Sequence, residues 1–237
     1  MWDFWDWQET NVLAKDILKK EIISTADGSH TIAIPEIKVT YHSVHGAIQE
    51  SRHVFLEAGL HYVQGQRKRS SLTVFEMGFG TGLNAFLTAI HAAETQLPIL
   101  YTAVEMAPLS AEEASLLNYP STLGHEQLFG QLHAAPCNEE VKLHQYFTLE
   151  KVQTDFAAFV PSLQFDLVYY DAFAPSAQPE FWTKEVFEKL YALLKANGVL
   201  VTYCSIGDVR RAMMAAGFAA EKLPGPPRKR EMLRAVK

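Results

Sequence analysis

Residues 74–84 (VFEMGFGTGLN) constrain the fold of this chain more than any other segment. An apolar, strand-like run ends at Glu76, glycines follow at Gly78, Gly80 and Gly82, and a helix-like pattern comes next. Because glycine lacks a Cβ and tolerates positive φ, such a turn bends sharply and lets a ligand approach the backbone. The segment therefore predicts a strand–turn–helix unit of an α/β sheet, although a purely structural turn would show the same pattern.

The spacing of the glycines separates the possible cofactors. The pattern G-x-G-x-G differs from the pyrophosphate fingerprint G-x-G-x-x-G and from the phosphate loop that ends in G-K-[ST]. No lysine is present to bind a phosphate, and Glu76 would repel one. A carboxylate at a strand end suits an ammonium group instead, such as that of the methionine part of S-adenosylmethionine. We therefore predict S-adenosylmethionine as the cofactor, with Glu76, the three glycines, Thr81 and Asn84 at its site.

Strand-like and helix-like runs alternate from residue 72 to the end of the sequence. The continuous apolar runs predict parallel strands that are covered on both faces, and the last two strands predict an antiparallel hairpin at one edge. The expected fold class is therefore α/β, a Rossmann-like class I S-adenosylmethionine-dependent methyltransferase with a mostly parallel, seven-stranded sheet. The predicted strands are 72–75, 99–104, 148–152, 165–170, 198–203, 219–223 and 231–236, and the predicted helices are 83–95, 111–119, 156–160, 180–195 and 208–216.

Residues 1–70 differ from the rest and predict an N-terminal extension packed on a methyltransferase domain at 71–237. Short alternating runs predict small β-strands, and apolar spacing further along predicts a helix. No linker rich in serine or proline separates the two parts, so we do not expect an independent module. The predicted strands of the extension are 22–25, 31–34 and 36–41, and its helix is 47–62.

Two acids follow strands that should border a nucleoside. Glu105 ends the second strand of the alternating part, where a carboxylate can accept hydrogen bonds from both ribose hydroxyls, and Met106 comes directly after it. A surface acid at a strand end is the alternative for Glu105. Asp155 follows the third strand, where an oxygen could accept a hydrogen bond from the adenine amine or cap a helix that begins at Phe156.

Asp171 follows the strand 165–170, which the sequence predicts to be buried, and is the candidate catalytic residue. Ligands of open α/β sheets bind at the carboxyl ends of the strands, so Asp171 should face the methyl group that is transferred. A carboxylate at that place suits an aliphatic amine, which has a pKa of roughly 10 and arrives protonated. Asp171 would then accept the proton or only orient the amine. Phe173 either stacks on a base or belongs to the core.

Charge and composition limit the partners. The formal net charge of −6 argues against a general nucleic-acid coat protein, because phosphate contacts need clustered cations. Two basic clusters exist, at 67–69 and at Arg228, Lys229 and Arg230, and the second is placed to contact phosphates of a structured RNA unless it is a solvated loop. The two cysteines and scattered histidines predict neither a disulfide framework nor a metal site. No leader or long apolar run is present, which predicts a cytoplasmic protein without a membrane anchor.

Several motifs together resemble one family. The segment 171–175 (DAFAP) with Trp182, the segment 228–232 (RKREM), and residues 41–43 and 50–56 are similar to the methyltransferase domain of the tRNA 5-methylaminomethyl-2-thiouridine biosynthesis (MnmC) family. The resemblance implies methylation of the aminomethyl group on C5 of the wobble uridine, in the anticodon region of tRNA, with 5-methylaminomethyl-2-thiouridine as the product. Relatives in this family also carry an FAD-dependent oxidase domain. The present sequence has no room for that domain and no dinucleotide fingerprint for flavin, so the stand-alone form is expected here.

Two other readings of the sequence stay open. An aminopropyltransferase-like enzyme, or a methyltransferase of small amines, would also place acids at strand ends, but would not use a basic loop beside its site. A non-catalytic RNA-binding protein that retains the fold would bind no S-adenosylmethionine.

Overall fold

The computed structural model describes residues 19–66 and 69–237. The predicted basic cluster 67–69 therefore lies outside the described residues except for Arg69. The guanidinium of Arg69 lies 2.5 Å from a carboxylate oxygen of Asp166, which is buried at the start of a central strand. Lys195 contacts the other oxygen of Asp166 at 2.9 Å. Arg69 thus belongs to an ion-pair network around the buried carboxylate of Asp166 at the amino edge of the main sheet.

The described part of the N-terminal extension starts with a small antiparallel sheet. It consists of β1 (Glu21–Ser24), β2 (His30–Ile34) and β3 (Val39–Thr40) in that order. The strand predicted at 36–41 is wrong in its first half, because Pro35–Ile37 forms a 3-10 turn that ends at Lys38 in a left-handed conformation with φ of 54°. Proline has no amide hydrogen for a ladder, which explains the shortened strand.

A continuous helix, α1, follows and packs on the main sheet. It comprises Ala47–Ser51, the π-helical stretch Arg52–His61, and Tyr62–Gln66. Its buried face shares one hydrophobic core with the sheet. Gly59 allows a close approach, since a Cβ there would lie 2.9 Å from a methyl group of Val201. The extension and the alternating part are therefore built around common apolar contacts.

The main sheet has eight strands where seven were predicted. The additional strand, β6, pairs antiparallel with β7 at one edge and alternates between exposed and half-buried residues, so it has no apolar run that the sequence could show. The sheet order is β10-β11-β9-β8-β4-β5-β7-β6, parallel from β9 to β7, with β11 antiparallel to both its neighbours. The α/β class and the closing hairpin are thus confirmed. The strands are β4 Leu72–Met77, β5 Ile99–Val104, β6 Glu140–His144, β7 Phe147–Val152, β8 Phe165–Tyr170, β9 Leu194–Thr202, β10 Ala219–Pro224 and β11 Glu231–Val236.

Helices cover both faces of the main sheet. Alternate residues of β8 face opposite sides: Leu167 and Tyr169 join the core under α1 and α2, whereas Val168 and Tyr170 join the core under α6 and α7. The predicted helix 156–160 is wrong, because a turn occupies these residues. The predicted helix 111–119 ends at Ser115, and the helices Tyr119–Leu123 and Glu126–Ala134 were not predicted. The helices are α2 Leu83–Thr95, α3 Ala111–Ser115, α4 Tyr119–Leu123, α5 Glu126–Ala134, α6 Lys184–Leu193 and α7 Gly207–Ala215, with a 3-10 turn at Pro179–Trp182.

The described residues contain neither a membrane-spanning helix nor a cluster of metal-binding side chains. Across residues 19–66 and 69–237, each helix is too short or too polar to cross a bilayer. In the same residues, histidine, cysteine, aspartate and glutamate side chains form no cluster of three that could hold a metal ion.

Candidate active site

The glycine turn lies at the carboxyl edge of the main sheet, between β4 and α2. All three of its glycines have positive φ: 88° at Gly78, 50° at Gly80 and 72° at Gly82. A Cβ at Gly78 would lie 3.1 Å from the carbonyl oxygen of Asp171, and one at Gly80 would lie 3.1 Å from the ring of Tyr41. Side chains would therefore strain the backbone and fill the space beside it.

Glu105 follows β5 and already contacts the glycine turn. One of its carboxylate oxygens accepts a hydrogen bond from the backbone N–H of Gly80 at 3.0 Å, and the other accepts one from Ala107 at 2.8 Å. Met106, next to it, is 37% exposed. Asp155 is exposed after β7, and its carboxylate accepts a hydrogen bond from the N–H of Ala157 at 2.7 Å. The structure thus brings Glu105 to the turn and gives Asp155 a capping contact without the predicted helix.

A buried amide joins two carboxyl groups beneath the turn. The side-chain nitrogen of Asn84 donates to Oε1 of Glu76 and to Oδ2 of Asp171, each at 2.9 Å. Glu76 is fully buried and Asn84 is 2% exposed. Oε2 of Glu76 and Oδ1 of Asn84 lack a hydrogen-bond partner among the described residues. The arrangement fixes one oxygen of Asp171 and leaves two buried acceptors beside the turn.

Both carboxyl groups have perturbed proton affinity. Burial, with the nearby charge of Asp171, raises the pKa of Glu76 well above its usual range. Burial, with the charge of Glu50, raises the pKa of Asp171 from 3.8 to about 7, although the Asn84 hydrogen bond and Lys229 oppose this. A carboxyl group with this pKa exchanges its proton near neutral pH, which suits a general base.

The loop after Asp171 is held by hydrogen bonds to its carbonyl groups. The hydroxyl of Tyr203 donates to the carbonyl of Ala172 at 2.9 Å, and the indole N–H of Trp182 donates to the carbonyl of Phe173 at 2.8 Å. The Phe173 ring is half-buried and meets the ring of Tyr41 edge-on, with centroids 5.2 Å apart. The loop therefore has a defined shape at the mouth of the site.

Comparisons with known proteins agree on one family. A family model described as S-adenosyl-L-methionine-dependent methyltransferase matches residues 123–237. The bifunctional tRNA 5-methylaminomethyl-2-thiouridine biosynthesis protein MnmC of Methylobacillus flagellatus is 32% identical over 211 residues, which are 81% of this chain and 32% of that protein. MnmC of Ectopseudomonas mendocina is 34% identical over 206 residues, which are 81% of this chain and 31% of that protein. The crystal structure of MNMC2 from Aquifex aeolicus aligns with a TM-score of 0.76 at 25% identity, covering 96% of this chain and 76% of that chain.

This chain is similar to the methyltransferase part of these proteins. It spans about a third of the length of the curated relatives it matches. The cofactor predicted from the glycine spacing, S-adenosyl-L-methionine, is confirmed by the family.

The site of the methyltransferase fits this cofactor on its own geometry. The three glycines leave an open cradle, and Glu105 places a carboxylate beside it. The unpaired oxygens of Glu76 and Asn84 are acceptors that an ammonium group needs. Thr81 differs from the others because its hydroxyl is 2.6 Å from a ring nitrogen of His42, so its side chain is already engaged.

Sequence reasoning missed the side chains that the N-terminal extension brings to the methyltransferase site. Tyr41 covers Gly80, and His42 is hydrogen-bonded to Thr81. Burial lowers the pKa of His42 to about 4, so the ring is neutral at physiological pH. Glu50 on α1 is buried close enough to Asp171 to influence its pKa. Residues 41–43 and 50–56 carried the family resemblance, but no local pattern placed them at this edge of the sheet.

The basic loop 225–230 joins β10 to β11 and divides into two kinds of side chain. Arg228 and Arg230 are exposed. Lys229 instead extends toward the protein, and its ammonium lies 2.5 Å from Oε1 of Glu50. The structure thus brings two of the three predicted RNA-binding cations to the surface and pairs the third with a buried acid.

Proposed function

We propose that this chain transfers a methyl group from S-adenosyl-L-methionine to the aminomethyl nitrogen on C5 of the wobble uridine of tRNA. The observation that carries the proposal is the Asp171 carboxyl group, which ends β8 beside the glycine turn and has a pKa of about 7. Base amines and amides need a hydrogen-bonding site, whereas an aliphatic amine, which arrives as an ammonium, needs a base such as a carboxylate that can accept its proton.

We assign the cofactor contacts to residues around the cradle. The cofactor supplies an electrophilic methyl group on a positively charged sulfur. Glu105 would accept hydrogen bonds from ribose hydroxyls, Asp155 would accept one from the adenine amine, and Met106 would border the nucleoside. The remaining contacts are assigned to the backbone of the turn and to the buried acceptors beneath it, namely Glu76, Gly78, Gly80, Thr81, Gly82 and Asn84.

Asp171 has two tasks in this proposal. Its ionised form binds the substrate ammonium, and it then accepts one proton so that the nitrogen has a free lone pair. Asn84 holds Oδ2 of Asp171, which leaves Oδ1 for the amine. Positioning of the nitrogen by the rigid 171–175 loop supplies much of the acceleration that the protein itself provides. Phe173, at the mouth, would stack against the uridine base.

The RNA substrate is supported by charge and by kinship. Arg228 and Arg230 are exposed at the sheet edge of an otherwise acidic chain, where they can contact phosphates. The similar MnmC proteins are named for biosynthesis of 5-methylaminomethyl-2-thiouridine in tRNA. We therefore propose tRNA as the partner, in the cytoplasm where tRNA is modified.

Nucleoside mass spectrometry tests the proposal. The protein is incubated with bulk tRNA and S-adenosylmethionine carrying a deuterated methyl group, and the tRNA is then digested to nucleosides. We expect the label in a 5-methylaminomethyl uridine nucleoside and none with the Asp171→Asn variant. Label in another nucleoside would refute the assigned base. Turnover of putrescine, without labelling or binding of tRNA, would support a small-amine enzyme, and no heat of binding with S-adenosylmethionine would support a non-catalytic protein.

A further inference from the structure

Lys229 makes contacts that set it apart from the two arginines beside it. Its ammonium lies 2.5 Å from Oε1 of Glu50 and 4.4 Å from the centroid of the Tyr203 ring. The Glu50 side chain is 8% exposed and the Lys229 side chain 33%. A half-buried lysine that neutralises a buried carboxylate and stacks on an aromatic ring is not free to contact a phosphate.

The backbone of the loop enforces this difference. The N–H of Gly225 donates to the carbonyl of Arg230 at 3.2 Å, and the N–H of Lys229 donates to the carbonyl of Pro226 at 2.9 Å. Arg228 has a φ of 71°, a left-handed conformation that non-glycine residues adopt rarely. The backbone is thus strained at Arg228, and in this loop conformation the Lys229 side chain points inward between its exposed neighbours.

Glu50 and Tyr203 connect Lys229 to the acceptor side of the site. Oε2 of Glu50 accepts a hydrogen bond from the N–H of Ser43 at 2.8 Å, which fixes the carboxylate from the extension side. Tyr203, under the ammonium, donates its hydroxyl to the carbonyl of Ala172, the residue after Asp171. Three distant parts of the chain, α1, the end of β9 and the hairpin loop, therefore meet behind the catalytic acid.

We propose that Lys229 and Glu50 form a positioning pair of the amine-binding site. In this pair, Lys229 balances the charge of the buried Glu50 carboxylate and supports the Asp171 loop through Tyr203. Of the three cations in the basic loop, only Arg228 and Arg230 then contact RNA phosphates. The proposal deepens the proposed function and rests on it. It assigns Lys229 to the chemistry of the amine and reassigns it from the RNA contacts that its sequence position suggested.

The electrostatic consequence follows from the groups that face Asp171. Burial and Glu50 raise the pKa of Asp171, whereas the Asn84 hydrogen bond and Lys229 lower it. The other titratable groups whose proton affinity is coupled to Asp171 are buried or half-buried: Glu76 on β4, Tyr101 on β5, Tyr119 on α4 and Tyr203 after β9. Burial raises the pKa of each of them, which favours its uncharged form. With Lys229 removed, only the Asn84 hydrogen bond opposes the effect of the Glu50 charge on the pKa of Asp171. The pair therefore decides at which pH the acid can accept a proton.

Kinetics with tRNA separate the two roles. We expect Lys229→Met to shift the acid limb of the pH profile of kcat upward by about one pH unit. The reason is that the negative charge of Glu50, which lies close to the Asp171 carboxyl group, loses its counter-ion. At pH 7 this is a fall of about five-fold in kcat, which disappears near pH 9. The salt dependence of tRNA binding should stay as in the wild type. The matched variant Arg228→Gln/Arg230→Gln should instead raise KM for tRNA and reduce the salt slope by about one per arginine.

A double variant tests the coupling directly. Glu50→Gln/Lys229→Met removes both charges, so we expect the acid limb of its kcat profile to return to the wild-type position. Loss of kcat at every pH in Lys229→Met, or no recovery in the double variant, would overturn the pair. A reduced salt slope in Lys229→Met would restore this lysine to the RNA contacts.

A measurement without substrate tests the Lys229–Glu50 pair independently of the proposed function. The Asp171 carboxyl carbon is assigned in ¹³C-labelled protein by its absence from Asp171→Asn, and its titration is followed by NMR. We expect the same upward shift in Lys229→Met and its reversal in the double variant. If the wild type methylates no tRNA but these shifts occur, the proposed substrate fails and the pair stands. If the titration is the same in all variants, the pair is refuted whatever the substrate.

Discussion

Replacing Asp171, the residue that we propose as the catalytic base, should make the folded protein more stable. Asp171→Asn keeps the shape of the side chain and the oxygen that accepts the Asn84 hydrogen bond. It removes a charge whose burial raises the pKa from 3.8 to about 7. Below pH 3.8 the carboxyl group is protonated in both folded and unfolded chains, so its charge costs nothing there. Between pH 3.8 and about 7 the unfolded chain is ionised while the folded chain keeps its proton, so the destabilisation grows across this range and is complete above about pH 7.

The size of this effect follows from the pKa difference. One pKa unit corresponds to about 1.4 kcal/mol, so the full difference sets an upper limit of about 4 kcal/mol. The residue is only partly buried, and solvent screening reduces the expected gain to about 1–3 kcal/mol at pH 8. Near pH 4 the gain should be close to zero. The same variant should lose methyl transfer while its affinity for S-adenosylmethionine stays close to that of the wild type.

Urea unfolding followed by tryptophan fluorescence, at pH 5 and at pH 8, measures the prediction. The control is Asp208→Asn, an aspartate on α7 whose side chain is 85% exposed, which should change the free energy of unfolding by less than about 0.5 kcal/mol at both pH values. A stability difference between Asp171→Asn and the wild type that does not grow between pH 5 and pH 8 would refute the raised pKa of Asp171. It would also remove the argument for Asp171 as a base.

Three further substitutions test the cradle and the packing behind it. Gly80→Ala should weaken S-adenosylmethionine binding at least about ten-fold by calorimetry, because φ is 50° and the new methyl would lie 3.1 Å from the Tyr41 ring. Glu105→Ala should weaken cofactor binding by about 1–3 kcal/mol, the usual cost of leaving buried partners unpaired, whereas unchanged affinity would exclude the ribose contact. Gly59→Ala should lower the free energy of unfolding by about 1–2 kcal/mol through overpacking against a valine of β9. Gly65→Ala, at a helical position with open space around it, is the control for both glycine variants and should preserve binding and stability.

The parts of the fold that could be predicted are those whose signal is local. Every residue of β8 is buried, and its largely apolar run, interrupted only by Asp166, identified a central strand. Acids at the ends of parallel strands then had to meet at one edge of the sheet. The edge strand β6 escaped because it is largely exposed and carries charged residues. The residues after Asp155 form a turn, since the carboxylate binds the N–H two residues on and Pro161 follows closely.

The candidate site could be predicted only in part, because some of it depends on contacts between distant segments. The glycine turn, Glu105 and Asp171 follow from strand order. The Glu50–Lys229 contact joins residues 179 positions apart, and no periodicity or motif in either segment indicates it. The sequence context of Lys229 was misleading. Its position in a basic loop predicts a phosphate contact, whereas in the folded protein its ammonium contacts the carboxylate of Glu50.

The ring of Tyr41 lies between the proposed sites of two ligands, S-adenosylmethionine and tRNA, which must be bound at the same time for methyl transfer. On one side it lies over Gly80 of the cofactor turn, and on the other it meets Phe173 of the acceptor loop. A ligand that moves this ring from either side changes the free energy of binding on the other side, and thermodynamic linkage requires the two effects to be equal. We therefore expect the affinity for tRNA to change on S-adenosylmethionine binding, by the same factor as the affinity for S-adenosylmethionine changes on tRNA binding. A residue of the N-terminal extension would then couple the binding of the cofactor to the binding of the acceptor.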